Sequence, residues 1–133
     1  MSLVVPDVGK MQLLDDLLEA EETWLHLYQN NYTPVDGSVL GSFTEADFSG
    51  YEAVLIDSWT ASSIVSGRAR SVADPEVFTQ DGGSTGNDIY GYYITKGETG
   101  ALLWAERGSG APYDMNSAGR QLSVALQLTL RTD

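Results

Sequence analysis

Residues 88–107 read Asp-Ile-Tyr-Gly-Tyr-Tyr-Ile-Thr-Lys-Gly-Glu-Thr-Gly-Ala-Leu-Leu-Trp-Ala-Glu-Arg and form the clearest β-hairpin pattern in the chain. The first arm, Ile89–Thr95, is rich in aromatic and β-branched residues, which suit a pleated and half-buried surface. The second arm, Ala101–Arg107, is apolar and then charged. The intervening Lys96–Gly100 contains two glycines, which adopt the positive φ that a short turn needs. The pattern predicts a small all-β domain built around this hairpin.

Two other segments have strong periodicity, one of strand type and one of helix type. Leucines and a valine alternate with mostly polar residues over 122–132, which is typical of a strand with one buried face. Residues 7–22 follow a helical period, with Asp7 as the expected N-cap. The expected apolar stripe of this helix consists of Met11, Leu14, Leu17 and Leu18, widened by Leu13.

The remaining patterns are shorter and are separated by turn residues. Further strands are expected at 23–30, 52–57, 67–73 and 76–79, with Pro75 breaking the last two apart. Thr44 is expected to cap one helical turn over 44–47. We therefore predict a mostly β chain, an antiparallel, jelly-roll-like β-sandwich with one short N-terminal α-helix. It is expected to form a single domain over residues 1–133.

Composition narrows the classes of function. The 133 residues carry a formal net charge of −12, and residues 1–66 hold eleven acids against the single base Lys10. Nucleic acids and anionic membranes both require cations, so we expect neither as a partner. The chain has no cysteine and one histidine, which excludes disulfides, thiolate chemistry and a histidine-rich zinc site. The acidic charge instead favours docking on a basic protein surface.

Candidate catalytic and metal residues are few. His26 lies between two leucines of a predicted strand, which favours a hydrogen-bonded structural histidine over a catalytic base. Residues 81–88 contain oxygen ligands and glycines but lack the spacing of a calcium loop, so a solvated connector is the simpler interpretation. The acidic pairs Glu45/Asp47 and Glu21/Glu22 would serve a glycosidase only if two carboxylates faced each other across a cleft. We assign no catalytic, cofactor or metal residue and expect a protein that is not an enzyme.

The tyrosines of the hairpin allow a second kind of site. Tyr90, Tyr92 and Tyr93, together with Trp104, could stack sugars or bases. Period two places Tyr90 and Tyr92 on one face of the strand and Tyr93 on the other. At least one of these faces is more simply explained as core.

The N-terminal arm of residues 1–6 is the segment most suited to reach a neighbour. It is apolar, and Pro6 restricts Val5 to extended geometry. Such an arm either tucks into its own core or contacts another chain, and the sequence leaves both possibilities open. The long loops at 30–42 and 80–88 are the other segments expected to reach neighbours.

Several segments occur in a familiar order. Val-Pro-Asp-x-Gly (5–9) precedes the predicted helix, and a final apolar strand of the Leu-x-Leu-x-Leu kind closes the chain. Between them lie LHLYQNNYTP (25–34), FTEADFSGY (43–51), IYGYYI (89–94) and LLWAER (102–107). This order resembles small virion proteins of tailed bacteriophages, in particular head cement or decoration proteins. The resemblance covers nearly the whole chain, and its motifs are structural.

The resemblance implies a β-sandwich or jelly-roll fold on the exterior of the phage head. Such proteins clamp the seams between major capsid protein subunits as homodimers or homotrimers and catalyse nothing. The alternative is a tail, baseplate or head-fibre module that binds a receptor or glycan, and a small hydrolase with paired carboxylates is a third hypothesis. Our candidate interface residues are Leu3, Val4, Val5, Pro6, Asp81 and Asp88.

Overall fold

The computed structural model describes residues 1–20 and 22–130, without the side chain of Ala20. The described residues form one α-helix, α1 (Asp7–Ala20), a single 3₁₀ turn (Leu40–Ser42) and nine strands. The strands are β1 (Thr23–Tyr28), β2 (Val54–Ile56), β3 (Ser63–Val65), β4 (Arg68–Thr79), β5 (Asn87–Ile89), β6 (Gly91–Lys96), β7 (Leu102–Arg107), β8 (Tyr113–Met115) and β9 (Gln121–Leu130).

The strands form two main sheets and one small one, and every pairing is antiparallel. Sheet A has the strand order β2-β1-β6-β7, sheet B has the order β3-β4-β9, and β5 pairs with β8. The β6–β7 pair is the predicted hairpin, and β9 is the predicted final strand as far as Leu130. The last two residues predicted for that strand, 131 and 132, lie outside the described residues.

The main core lies between sheets A and B. Leu25 and Leu27 of β1 and Ile94 of β6 share one buried cluster with Phe78 of β4 and Leu126 of β9. Side chains from the inner faces of both sheets therefore interdigitate, as in a β-sandwich. The predicted fold class, a mostly β antiparallel sandwich with one N-terminal helix, is confirmed.

The helix packs on sheet B through the leucines that its period predicts. Leu14 and Leu18 are buried against Ala69 of β4. Leu13, which was expected to widen this stripe, is 58% exposed, so that part of the prediction was wrong. The predicted cap was wrong as well, because the Pro6 carbonyl accepts the first helical hydrogen bond, from the Lys10 N–H at 3.0 Å. The helix ends at Ala20, before the predicted residue 22.

Two local predictions fail because tertiary pairing overrides the local signal. Pro75 does not end a strand, since β4 continues through it and the register against β9 shifts between Ala73 and Glu76. The bulge removes Pro75, which has no N–H, from the ladder. No helical turn forms at 44–47, because Glu45 instead bridges to Tyr28 of β1.

The tyrosine faces also differ from the period-two prediction. Tyr92 joins the main core, whereas Tyr90 and Tyr93 both contribute to a cluster with Tyr28 and Phe43. Tyr90 lies at the break between β5 and β6, where its N–H donates to the Tyr28 carbonyl at 3.0 Å. The break resets the alternation of side chains, so Tyr90 and Tyr92 do not share a face.

Candidate interaction surface and a buried histidine

The arm of residues 1–6 has no regular structure and does not enter any buried cluster of the described residues. Leu3 is 93% exposed and Val4 is 76% exposed. Near the base of the arm, the Lys10 Nζ donates to the Gly67 carbonyl at 2.8 Å. Of the two possibilities that the sequence left open, the tucked arm is therefore excluded for this structure.

A second apolar feature lies beside the helix. A groove of about 390 Å³ opens between α1 and the outer strands of the two sheets. We call it the apolar groove; it is lined by Leu13, Leu14, Leu17, Leu103, Trp104, Leu128, Thr129 and Leu130. Seven of these eight residues are apolar, so water gains few hydrogen bonds there and burial of the groove is favourable.

Two free strand edges border the apolar groove. Among the residues that the structure describes, β7 is the last strand of sheet A and pairs with β6 alone, while β9 is the last strand of sheet B and pairs with β4 alone. Within the described part of the chain, no backbone hydrogen bond occupies the second edge of either strand. An unpaired edge presents a row of N–H and C=O groups that an extended segment can pair with.

The loop that holds Asp81 is fastened rather than free. Gln80 is buried, its Nε2 donates to the Thr85 carbonyl at 2.9 Å, and its Oε1 accepts from the Gly82 N–H at 2.6 Å. Asp81 itself is exposed and accepts from the Gly83 N–H at 3.0 Å. Its role at an interface stays a prediction.

Asp88 lies in β5 rather than in the loop where the sequence placed it, directly opposite Asp114 of β8. Like charges in opposed positions repel. The Asn116 Nδ2 bridges them, donating to Asp88 Oδ1 at 2.9 Å and to Asp114 Oδ1 at 2.7 Å. The hydrogen bonds from Asn116 hold the pKa of Asp114 below its usual value. No hydrogen bond or ion pair within the described residues joins the arm to Asp81 or Asp88.

The aromatic residues of the hairpin offer little surface. Tyr92 and Tyr93 are buried, and the Tyr92 hydroxyl donates to Glu106 Oε2 at 2.8 Å. Burial, followed by this hydrogen bond, raises the pKa of Tyr92. Trp104 is partly buried against Trp59, and Tyr90 is covered by the Arg107 guanidinium at 5.3 Å. A stacking platform would therefore rest on Trp104.

His26 is at the centre of a chain of hydrogen bonds that the sequence did not reveal. Its Nε2 lies 2.9 Å from Thr95 Oγ1, and its Nδ1 lies 2.7 Å from Glu45 Oε2. The Tyr51 hydroxyl donates to the same Glu45 oxygen at 2.7 Å. The ring also stacks on Tyr93, with centroids 4.7 Å apart. We call Thr95, His26, Glu45 and Tyr51 the histidine chain.

A hydroxyl, an imidazole and a carboxylate follow one another here as in a hydrolytic triad. The hydroxyl proton, however, does not point at the imidazole. The Thr95 hydroxyl donates to the Gly97 carbonyl at 2.6 Å, so its oxygen faces His26 Nε2 with no proton left to give. A general base needs that nitrogen free to accept the proton of the nucleophile. Thr95 is also only 1% exposed. His26 is therefore a buried, hydrogen-bonded core residue, as its place between two leucines predicted.

The carboxylates of the candidate acidic pairs are engaged within the protein. Asp47 Oδ1 accepts from the Asn87 amide at 2.9 Å, and Glu45 belongs to the histidine chain. The Glu21/Glu22 pair falls partly outside the described residues, since residue 21 is not described. Across 1–20 and 22–130, no group of three or more potential ligands is arranged to hold a metal ion.

Comparisons of this chain with known proteins found no relative. No family model matches the chain, and neither a curated protein nor a solved structure matches it. The part of the chain that is described contains no helix of the length and apolarity that a membrane span needs. A functional proposal must therefore rest on this chain's own residues.

Proposed function

We propose that this protein is a non-enzymatic capsid cement or decoration protein of a tailed bacteriophage. It binds the exterior of the assembled head as a homo-oligomer and stabilises contacts between major capsid protein subunits. The observation that carries the proposal is the apolar arm, in which Leu3 is 93% and Val4 76% exposed on an otherwise well-packed sandwich. Exposed apolar segments of this kind mark contacts with other chains.

The distribution of charge supports a protein partner. Residues 1–66 hold eleven of the acids and only one base, and the helix presents Asp16 and Glu19 to solvent. Complementary charge steers association and excludes wrong partners more than it adds affinity. A basic coat surface is the partner that this arrangement fits.

In this proposal the protein stabilises the coat through many modest contacts and not through a reaction. A module that binds only the native coat stabilises it by mass action. Modest interfaces gain strength when linked modules bind several sites at once. The histidine chain and the engaged carboxylates hold loops to the body of the protein, and a preorganised surface loses less entropy when it docks.

The alternative function, a tail, baseplate or head-fibre module that binds a receptor or glycan, is favoured by one observation. Trp104 lines the apolar groove and also a neighbouring recess that contains Asp36 and Ser38. An aromatic face beside polar groups suits a sugar. Quenching or a spectral shift of tryptophan fluorescence on titration with oligosaccharides, lost in Trp104→Phe, would support this alternative.

Cosedimentation with heads that lack the protein tests the proposal. We expect saturable binding at a fixed ratio to coat subunits, weakened by added salt because charge is screened. The double variant Leu3→Ser/Val4→Ser is expected to bind less tightly. Its matched control is Val39→Ser/Val77→Ser, which removes two valines that are 62% and 57% exposed elsewhere. Absence of saturable binding would overturn the proposal.

A further inference from the structure

We propose that the arm of one copy docks as a short extended strand in the apolar groove of a second copy. The inference specifies the self-association that the proposed function includes, and it rests on that function only to this extent. The two features that carry it are both on this chain: an arm whose Leu3 and Val4 are exposed and join no buried cluster of the described residues, and the apolar groove.

The chemistry of the arm matches that of the groove. The groove walls contribute Leu13 and Leu17 of the helix and Leu103 of β7, and the arm contributes Leu3 and Val4. Neither surface carries a charged side chain, so their association needs no ion pair. Because the whole chain has a net charge of −12, two copies repel each other unless apolar burial outweighs that repulsion.

The backbone of the arm also matches the groove. An extended segment that joins a free sheet edge gains main-chain hydrogen bonds, while alternate side chains fill pockets. Leu3, Val4 and Val5 each have an N–H to donate, and Pro6 keeps Val5 extended. The free edges of β7 and β9 border the groove and supply the matching groups.

The length of the arm limits how the two copies can meet. Leu3 is four residues before Asp7, where α1 begins, and four extended residues span at most about 14 Å, so the groove of the partner must lie close to the start of α1. A reciprocal exchange, in which each arm enters the other copy's groove, satisfies this limit and closes the assembly as a dimer. Exchange around a ring would give a trimer by the same contact.

The absence of cysteine allows a direct test by crosslinking in solution, with no capsid present. Two single variants, Val4→Cys in the arm and Leu13→Cys at the rim of the groove, are mixed and oxidised. Both positions are exposed, so neither change should disturb folding. Exchange predicts a heterodimer that contains one of each variant. The control mixture pairs Val4→Cys with Val77→Cys, which lies on β4 away from the groove and should crosslink much less.

Sedimentation equilibrium of the unmodified chain is the second measurement. We expect association that strengthens with salt, because salt screens the repulsion and leaves apolar contacts intact. Leu3→Ser/Val4→Ser should weaken self-association by about tenfold or more, and Val39→Ser/Val77→Ser should leave it unchanged. Leu13→Glu should also weaken it, and mixing it with the arm variant should restore a dimer through the remaining intact arm and groove.

Two results would overturn the inference. One is a chain that stays monomeric at all concentrations and salt levels. The other is found with the double variant Val4→Cys/Leu13→Cys, if its disulfide forms only within one chain. Neither result bears on binding to heads, which cosedimentation measures separately. A monomeric chain would also remove the homo-oligomer from the proposed function, whereas saturable binding to heads would still support the cement role.

Discussion

Two irregular segments of this protein differ in how many contacts hold them to the sandwich. We call residues 29–48 the outer segment, and it is fastened to sheet A by side chains. Asn30 Oδ1 accepts from the Thr44 N–H at 2.8 Å, Asn30 Nδ2 donates to the Ser42 carbonyl at 2.9 Å, and Phe43 stacks on Tyr93. For the arm, the only hydrogen bond within the described residues is at its last residue, Pro6, to Lys10.

The difference shows that irregular backbone is not the same as free backbone. Side-chain hydrogen bonds and ring contacts replace strand pairing along the outer segment, although Val35 and Val39 within it are 64% and 62% exposed. The arm has no such replacement, and its exposed side chains are apolar. Our proposal assigns contact with a neighbour to the arm, and the same role for the loops at 30–42 and 80–88 stays a prediction.

The largest expected effect comes from removing the ring that anchors the end of the outer segment. Phe48 is buried in the main core, so Phe48→Ala should lower the free energy of unfolding by about 3–5 kcal/mol. Urea denaturation followed by tryptophan fluorescence measures it. The exposed Val39 of the same segment provides the control, since Val39→Ala should change stability by less than about 0.5 kcal/mol. Equal losses in the two variants would contradict the assignment of Phe48 as the anchor.

The next effect concerns the histidine chain. Glu45→Ala removes the partner of His26 Nδ1 and one of the two partners of the Tyr51 hydroxyl, which should cost about 0.5–1.5 kcal/mol of unfolding free energy. Glu52 lines a surface recess together with His26 and Glu45. It is exposed and makes no hydrogen bond within the described residues. Glu52→Ala is therefore the matched control, with an expected change near zero. If both variants unfold at the same urea concentration, Glu45 does not fasten the outer segment.

A pH dependence follows from the buried tyrosine of the same chain. Burial, followed by the hydrogen bond to Glu45, raises the pKa of Tyr51 in the folded protein. The unfolded chain then loses this proton first, so stability is full below about pH 10 and falls as pH rises further. Tyr51→Phe should show a smaller loss of stability between pH 9 and pH 11 than the unmodified protein. Identical losses in urea titrations of the two proteins would contradict the assigned cause.

The smallest effect on stability is expected in the arm. Leu3→Ser/Val4→Ser should change the free energy of unfolding by less than about 0.5 kcal/mol, because neither side chain is buried. Amide hydrogen exchange compares the arm with the outer segment residue by residue. The Ala46 amide, bonded to the Leu27 carbonyl at 2.9 Å, should be protected, whereas amides 3–5 should exchange rapidly in dilute solution. Arm amides that are protected in the monomer would refute the description of the arm as free.

The sequence predicted those elements whose pattern repeats over many residues. The hairpin, the final strand and the leucine stripe of the helix have several matching positions each, so one exception such as Leu13 does not change the outcome. Pro75 and Thr44 are single-residue signals. Each was overridden by a pairing partner distant in sequence, β9 in one case and β1 in the other.

The histidine chain was beyond the reach of local patterns. Thr95 is separated from His26 by 69 positions and Glu45 by 19, and no spacing rule brings them together. What the sequence did indicate is that a lone histidine between two leucines needs hydrogen-bond partners inside the protein. The arm, in contrast, was identifiable as a candidate from its composition alone, although its exposure required the structure.

The thermal stability of heads decides whether this protein acts as a cement, because a cement protein must stabilise the shell that it binds. Scanning calorimetry would compare heads alone, heads saturated with the protein and heads mixed with the Leu3→Ser/Val4→Ser variant. We predict a higher melting temperature for saturated heads and a smaller increase with the variant. Heads that bind the protein yet melt at an unchanged temperature, or that do not bind it, would contradict the account.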